Sequence, residues 1–404
     1  MKQKPTIVLG VTGGIAAFKA AQLTSNLIKK DMDVEVIMTK NATEFIAPLT
    51  FESLTKHNVM VSTFDRVADR SVKHIAIAKR ADVFAIVPAS ANVIAKIVHG
   101  LADDMLTTTF LAASCPKIIC PAMNTAMYEN PITQRNIGLL KEYGMEVVEP
   151  ESGFLACGDV GSGKLADLNQ IEDAIIMACI KTKILSNKNV IISAGPTQEK
   201  LDPVRFLSNH STGKMGIALA WCAKALGAEV TLIHGPIKER IPYGVNAIAT
   251  PTAQSMLEAF QNQYETADVI IKAAAVGDYR PQNPSSEKIK KHEDSLSLTL
   301  QKNPDILAWL GEHKRENQVL CGFAMETEQM LENATAKRKA KNCDLLVANN
   351  LKQVGAGFAN DTNIVTILSD SEPIELPCMS KRNVALRIWE EIISVMKTKG
   401  VLVC

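Results

Sequence analysis

The chain has 404 residues, 47% of them hydrophobic, and balances 44 lysines and arginines against 43 aspartates and glutamates. That length supports two or three globular cores, and the near-neutral charge supplies no field that would draw in nucleic acid or a membrane surface. No apolar run approaches the roughly 18–20 residues of a membrane span, no signal-peptide pattern opens the chain, and nine cysteines without CxxC or Cys/His spacing argue against structural zinc and suit a reducing cytoplasm.

Residues 6–11 form a β-branched run that meets Thr12-Gly13-Gly14 and then a helical pattern reaching about Lys30. Residues 34–39, 83–88 and 117–120 read as three more strands in a helix–strand alternation. The design restarts near residue 188. Residues 189–194 lead into Gly195-Pro196, a helix begins about Met215, and residues 229–233, 269–275 and 344–349 read as buried strands. Alternation of this kind predicts α/β architecture with doubly wound parallel sheets. The polar run 181–188 separates the halves, so two tandem domains are expected over residues 1–183 and 184–404.

In the first half, Gly13-Gly14 lets backbone amides approach an anion where the helix begins, although a plain tight turn uses the same residues. GxGxxG spacing is absent, and Thr39 stands where a ribose-binding carboxylate would end the second strand, which favours a mononucleotide over a dinucleotide. Pro88-Ala89-Ser90-Ala91-Asn92 ends the third strand with small residues that admit a flat ring, while Ser90 and Asn92 can bond its edge or simply cap. His74 lies early in a helical segment; its side chain suits acid–base work or a structural hydrogen bond. Asn124, in Pro121-Ala122-Met123-Asn124-Thr125-Ala126-Met127-Tyr128, stands at a strand end with donors and an acceptor, as ligand holder or helix cap. Residues 152–164 hold four glycines around Cys157 and read as a mobile lid, not a packed element.

Taken in order, these stretches resemble the flavin-dependent phosphopantothenoylcysteine decarboxylases. The resemblance implies a flavodoxin-like fold with FMN held at Gly13, Ile15, Ala16, Thr39, Ser90 and Asn92. It also implies that His74 is the base, that Asn124 binds the substrate carboxylate, and that Cys157 protonates or reduces the intermediate. Val93 departs from the threonine common there and removes one polar contact. The chemistry fits these residue types. Loss of CO2 from a cysteine carboxylate needs an electron sink, and oxidising the thiol to a thioaldehyde with flavin creates one. A neutral Asn124 orients the departing carboxylate without over-stabilising its ground state.

In the second half, Arg205 to Gly216 brings hydroxyls, glycines and Lys214 before a helix, a composition suited to phosphates but not a Walker A motif. Lys288-Ile289-Lys290-Lys291 lies in a polar loop, either as solvated surface or as a mobile clamp on a triphosphate. With residues 273–279, 302–307 and 322–327, these stretches resemble phosphopantothenate–cysteine ligase. The order of the halves resembles bacterial bifunctional decarboxylase–ligases of coenzyme A synthesis over nearly the full chain. The resemblance implies that CTP converts 4'-phosphopantothenate to an acyl-cytidylate, that L-cysteine displaces CMP, and that decarboxylation then yields 4'-phosphopantetheine. Asn209 matches the residue at the mixed anhydride and Lys288 the one at the reacting phosphate. Lys272, Ala273, Ala274, Asp278, Lys288, Pro304, Asp305, Ile306, Leu307, Phe323, Lys337 and Lys341 match nucleotide contacts, with Lys272 replacing a small residue and so expected to contribute only backbone. Mg2+ accompanies the triphosphate, with no ligand identifiable. Decarboxylase trimers and ligase dimers, together a dodecamer, are the implied homo-oligomer. A nicotinamide-linked Rossmann oxidoreductase and a non-enzymatic regulatory flavoprotein are the competing readings.

Overall fold

The computed structural model describes residues 4–64, 73–155, 158, 160–290, 296–326, 330–350 and 360–402. It divides into two compact units, Met1–Lys181 and Thr182–Cys404. In the first, β1 (Thr6–Val11), β2 (Asp33–Met38), β3 (Val83–Ala89), β4 (Lys117–Pro121) and β5 (Glu146–Val147) form one parallel sheet in the order 2-1-3-4-5. Every residue of β3 is buried, as expected for a parallel strand covered on both faces. The register pairs Ile7 with Val34 on one side of β1 and with Val83 on the other, so the carboxyl ends of β1 and β3 lie side by side. This order is the flavodoxin-like one, and its strand-order reversal falls between β1 and β3.

Within the glycine-rich stretch 152–164, the described residues on either side of the centre are paired strands. β6 (Glu151–Phe154) and β7 (Val160–Lys164) pair as an antiparallel hairpin. The N–H of Met123 donates to the Gly163 carbonyl at 2.9 Å, docking the hairpin beside Asn124. Gly163 has φ of 115°, and a Cβ there would stand 2.4 Å from the Met123 carbonyl oxygen, so here glycine permits packing instead of preventing it. Cys157 lies outside the described residues.

The second unit contains β8 (Asn189–Ala194), β9 (Gln198–Lys200), β10 (Phe206–Ser208), β11 (Glu229–His234), β12 (Asn246–Ala249), β13 (Val269–Lys272), β14 (Tyr279–Pro281), β15 (Leu300–Lys302), β16 (Val319–Glu326), β17 (Leu345–Asn350), β18 (Thr362–Leu368) and β19 (Ile374–Ser380). Eight of them form one sheet, β12-β11-β8-β13-β16-β17-β18-β19. It is parallel as far as β17, in the Rossmann-like arrangement, and β18 and β19 extend it antiparallel. β9 pairs with β10 and β14 with β15 as separate two-stranded arms. No described helix is long and apolar enough to cross a membrane.

The helix Lys214–Ala225 lies so close to β8 that a Cβ on Gly216 would come 2.6 Å from the Ala194 Cβ. The terminal helix Lys381–Thr398 packs on it through Trp389, which is fully buried and donates its indole N–H to the Leu219 carbonyl at 3.0 Å. Replacing so large a buried side chain leaves a cavity and an orphaned carbonyl. Trp389→Ala is expected to cost about 3–5 kcal/mol, read as a lower urea midpoint for the second unit; an unchanged midpoint would show that the contact does not hold this face together.

Candidate active sites

In the first unit, a cavity of about 480 Å3 opens where β1, β3 and β4 end. Thr12 builds its floor. The buried Thr12 hydroxyl donates to the Pro88 carbonyl at 2.8 Å and accepts from the Ser90 N–H at 3.0 Å, tying the two strand ends together. Gly13 is needed for packing, since a Cβ would stand 2.6 Å from that of Asn41. Gly14 has nothing within 4 Å of a Cβ position, so it leaves open room at the cavity wall.

The cavity gathers Gly13, Ile15, Ala16, Ser90 and Asn124. Ser90 caps the helix Ala91–Val98, accepting from the Val93 N–H at 3.4 Å. Asn124 is both cavity wall and helix cap: its Oδ1 accepts from the Ala126 N–H at 2.9 Å. Thr39, His74 and Asn92 do not line the cavity. Thr39 caps a short turn through Ala42, Asn92 is exposed, and His74 is half-buried near the start of the helix Lys73–Arg80. Val93 points into the core, so its departure from threonine removes no polar group from the cavity. Thr12 and Phe154 are wall residues that sequence reading passed over. Thr12 stood inside the glycine turn, but a buried hydroxyl between two strands has no sequence spacing of its own.

The second unit carries a cavity of about 430 Å3 at the ends of β13, β16 and β17. It brings together Asn209, Lys272, Ala273, Ala274, Asp278, Phe323 and Lys337. Asn209 donates its amide nitrogen to the Ala275 and Val276 carbonyls at 3.1 and 3.2 Å. Both partners are acceptors, so the amide oxygen is the acceptor it can present. Lys288 is exposed and does not line the cavity, and neither do Pro304, Asp305, Ile306, Leu307 and Lys341. Asp305 caps the helix Ile306–His313 and pairs with Lys341 at 2.7 Å, while Ile306 and Leu307 are core residues. Lys214 and Lys381 add two further cations to the wall. Lys214 pairs with Asp361 at 2.6 Å, and the mostly buried Lys381 donates to the Asn360 carbonyl at 2.6 Å. Lys381 was missed in sequence because it arrives from the far end of the chain. Asn363, also missed, donates to Asn349 at 3.1 Å beside it. Among the described residues, no group of three or more His, Cys, Asp or Glu side chains could hold a metal ion.

Two α/β units each carry a cavity at the strand ends of their own sheet, the place where proteins of this architecture bind their ligands. Residues 1–180 match the Flavoprotein family model, and residues 185–396 match the DNA/pantothenate metabolism flavoprotein C-terminal domain. The chain is 46% identical over 404 residues to the coenzyme A biosynthesis bifunctional protein CoaBC of Bacillus subtilis (strain 168), covering 99% of each chain. It is 41% identical over 392 residues to the protein of the same name from Vibrio vulnificus (strain YJ016), covering 96% of this chain and 98% of the relative. A crystal structure of the C-terminal domain of a coenzyme A biosynthesis bifunctional protein CoaBC covers 54% of this chain and 100% of its own, at 41% identity and a TM-score of 0.47. The chain belongs to this family of bifunctional coenzyme A biosynthesis proteins.

Lys272 reports on the charge of the second cavity. It was expected to contribute backbone alone, yet its side chain turns back along the wall and Nζ donates to the Ala274 carbonyl at 2.9 Å. Burial, and then the nearby charge of Lys337, push its pKa down to about 8. The folded value lies below the unfolded one, so between them the unfolded chain binds more protons and stability rises with pH. A polyanion in the cavity reverses the shift. Binding of inorganic triphosphate at about pH 8.5 is expected to take up protons, measured by calorimetry in buffers of different ionisation enthalpy. Lys272→Met should abolish the uptake; uptake that survives the substitution would place the titrating group elsewhere.

Proposed function

We propose that the chain performs two successive steps of coenzyme A synthesis. Residues 184–404 join 4'-phosphopantothenate to L-cysteine at the expense of CTP, through an acyl-cytidylate. Residues 1–183 then decarboxylate the phosphopantothenoylcysteine to 4'-phosphopantetheine. The observation that carries this reading is the contrast between the two cavities. One is lined mainly by small and apolar residues, with Asn124 and two lysines, Lys19 and Lys164, and the other by Asn209 with four, Lys214, Lys272, Lys337 and Lys381. A flat, largely neutral ring suits the first and a polyanion the second.

The first cavity fits FMN on two counts: the open space beside Gly14, and the hydrogen-bonding strand ends at Thr12 and Ser90. Bound there, FMN supplies the redox chemistry that makes the substrate carboxylate a leaving group. Gly13, Ile15, Ala16 and Ser90 hold it, with Thr39 and Asn92 at its periphery. Asn124 orients the carboxylate through a neutral carboxamide, which adds no charge to the ground state. His74 serves as base and Cys157 returns a proton.

In the second cavity the lysines neutralise the triphosphate, and Lys288 reaches in from its loop to the reacting phosphate. Ala273, Ala274, Asp278 and Phe323 contact the nucleoside, with residues 304–307 and Lys341 behind them. Asn209 holds the mixed anhydride while its oxygen accepts from the incoming amine. Mg2+ arrives with the triphosphate, since such an ion commonly takes one or two carboxylates and completes its shell with phosphates and water. We further propose homo-oligomerisation, with trimeric contacts in the first domain and dimeric contacts in the second. Exposed Ile15, Phe18 and Phe154 around the first cavity support an apolar interface there.

Incubation with 4'-phosphopantothenate, cysteine and either CTP or ATP, read by mass, is expected to give 4'-phosphopantetheine with CMP release in the CTP arm. EDTA should stop ligation while added phosphopantothenoylcysteine is still decarboxylated. Cysteine left unconjugated with either nucleotide would refute the ligase assignment. Cys157→Ser should bind FMN and accumulate an oxidised, decarboxylated product; turnover at the parental rate would remove Cys157 from the mechanism.

A further inference from the structure

The arm β9–β10 carries Asn209 immediately after its last residue, and its turn reaches the loop that bears Lys288. Ser285 donates its N–H to the Leu201 carbonyl at 2.9 Å. Asp202, whose side chain is fully buried, uses Oδ1 to accept the N–H groups of Val204 and Arg205 at 2.8 and 2.7 Å. Those two bonds suffice to close the turn. Its other oxygen leaves the arm and accepts the N–H of Ile289 at 3.2 Å, 87 residues away in sequence. Arg205 grips the same residue from the other side, with Nη1 3.4 Å from the Ile289 carbonyl oxygen and 3.4 Å from Oδ2 of Asp202.

The N–H of Ile289 belongs to the peptide that joins it to Lys288. Fixing that peptide fixes the Lys288 Cα and leaves the four-carbon side chain as the moving part. At the other end of the arm, Ser208 donates to the Thr197 carbonyl at 2.8 Å, and Asn209 is held by the carbonyls of Ala275 and Val276. The three residues of β10 span roughly 10 Å, a short element with both ends hydrogen-bonded. Burial alone would raise the Asp202 carboxyl, but the N–H groups of Val204, Ile289 and Arg205 and the Arg205 charge hold it below the usual range. It is therefore a charged acceptor, the stronger kind.

We propose that Asp202, with Arg205, is a positioning residue of the ligation: it clamps the root of the Lys288 loop to the arm that carries Asn209. The two groups then reach the cavity in a fixed relation. This inference rests on the reading that Lys288 acts at the triphosphate.

Asn at position 202 can keep the turn with its oxygen, but its NH2 then faces the N–H of Ile289, donor against donor. The full chain is compared as Asp202→Asn, Lys288→Gln and the double variant. Ligation is followed by pyrophosphate release, decarboxylation of supplied phosphopantothenoylcysteine as a second activity, and amide exchange at Ser285, Ile289 and β8. Asp202→Asn is expected to slow ligation about tenfold or more, to speed exchange at Ser285 and Ile289, and to leave β8 exchange and decarboxylation unchanged. In the Lys288→Gln background it should add almost nothing, because its effect runs through Lys288. Parental ligation by Asp202→Asn, unchanged exchange at Ile289, or losses that multiply in the double variant would each overturn the clamp. Faster exchange at β8 would make the role general folding and overturn it as well. Full ligation by Lys288→Gln would instead remove Lys288 from the reaction, and the clamp's role in ligation with it.

Discussion

Both cavities depend on what happens to backbone hydrogen bonding where a parallel strand stops. A buried N–H or carbonyl that leaves the ladder must find another partner, and in each unit side chains supply it. Thr12 bridges the ends of β1 and β3. In the second unit Ser193 accepts from the Ala274 N–H at 3.1 Å, Thr197 accepts from the Gly277 N–H at 2.9 Å, and Asn209 serves the next two carbonyls. These short polar side chains let the backbone turn away from the sheet while remaining satisfied. Each cavity floor is this transfer of hydrogen bonds from ladder to side chain.

The two units share the floor and differ in the wall. Around the first, glycines, alanines, Met123 and Phe154 dominate the wall, with Ser90 and Asn124 at strand ends and Lys19 and Lys164 arriving from the first helix and the hairpin. Around the second, lysines from four separate segments converge, close enough that burial and mutual repulsion depress Lys272. Such crowding raises the cost of the empty site and lowers that of an anion-filled one. Asp361 and the Asn360 carbonyl partly offset it by holding Lys214 and Lys381. The same α/β frame therefore presents two cavities of different charge, set by the side chains that line them.

Much of this was legible along the chain. β-branched runs alternating with helical patterns specified two doubly wound sheets, and several residues singled out just past strand ends, Gly13, Ser90, Asn124, Ala273 and Ala274, line the two cavities. In the glycine-rich segment 152–164, glycine frequency did not announce the paired strands on either side of the centre. Here Gly163 admits the Met123 carbonyl and a docked hairpin results. Lys272 was misjudged for a related reason. A long side chain at a crowded strand end can fold back onto its own backbone, a conformation that residue type alone does not predict.

Local order in sequence thus determined the elements, their alternation, the division into two units, and the wall residues adjacent in the chain to strand ends. These follow from periodicity and turn chemistry, which act over a few residues. Tertiary structure alone decided that Lys381 and Asn363 join Lys214 and Lys272, that Thr12 spans two strands, and that Asp202 grips Ile289. Those contacts depend on sheet order and on which backbone groups burial leaves in need of a partner. Neither is encoded in the spacing of the residues that meet there.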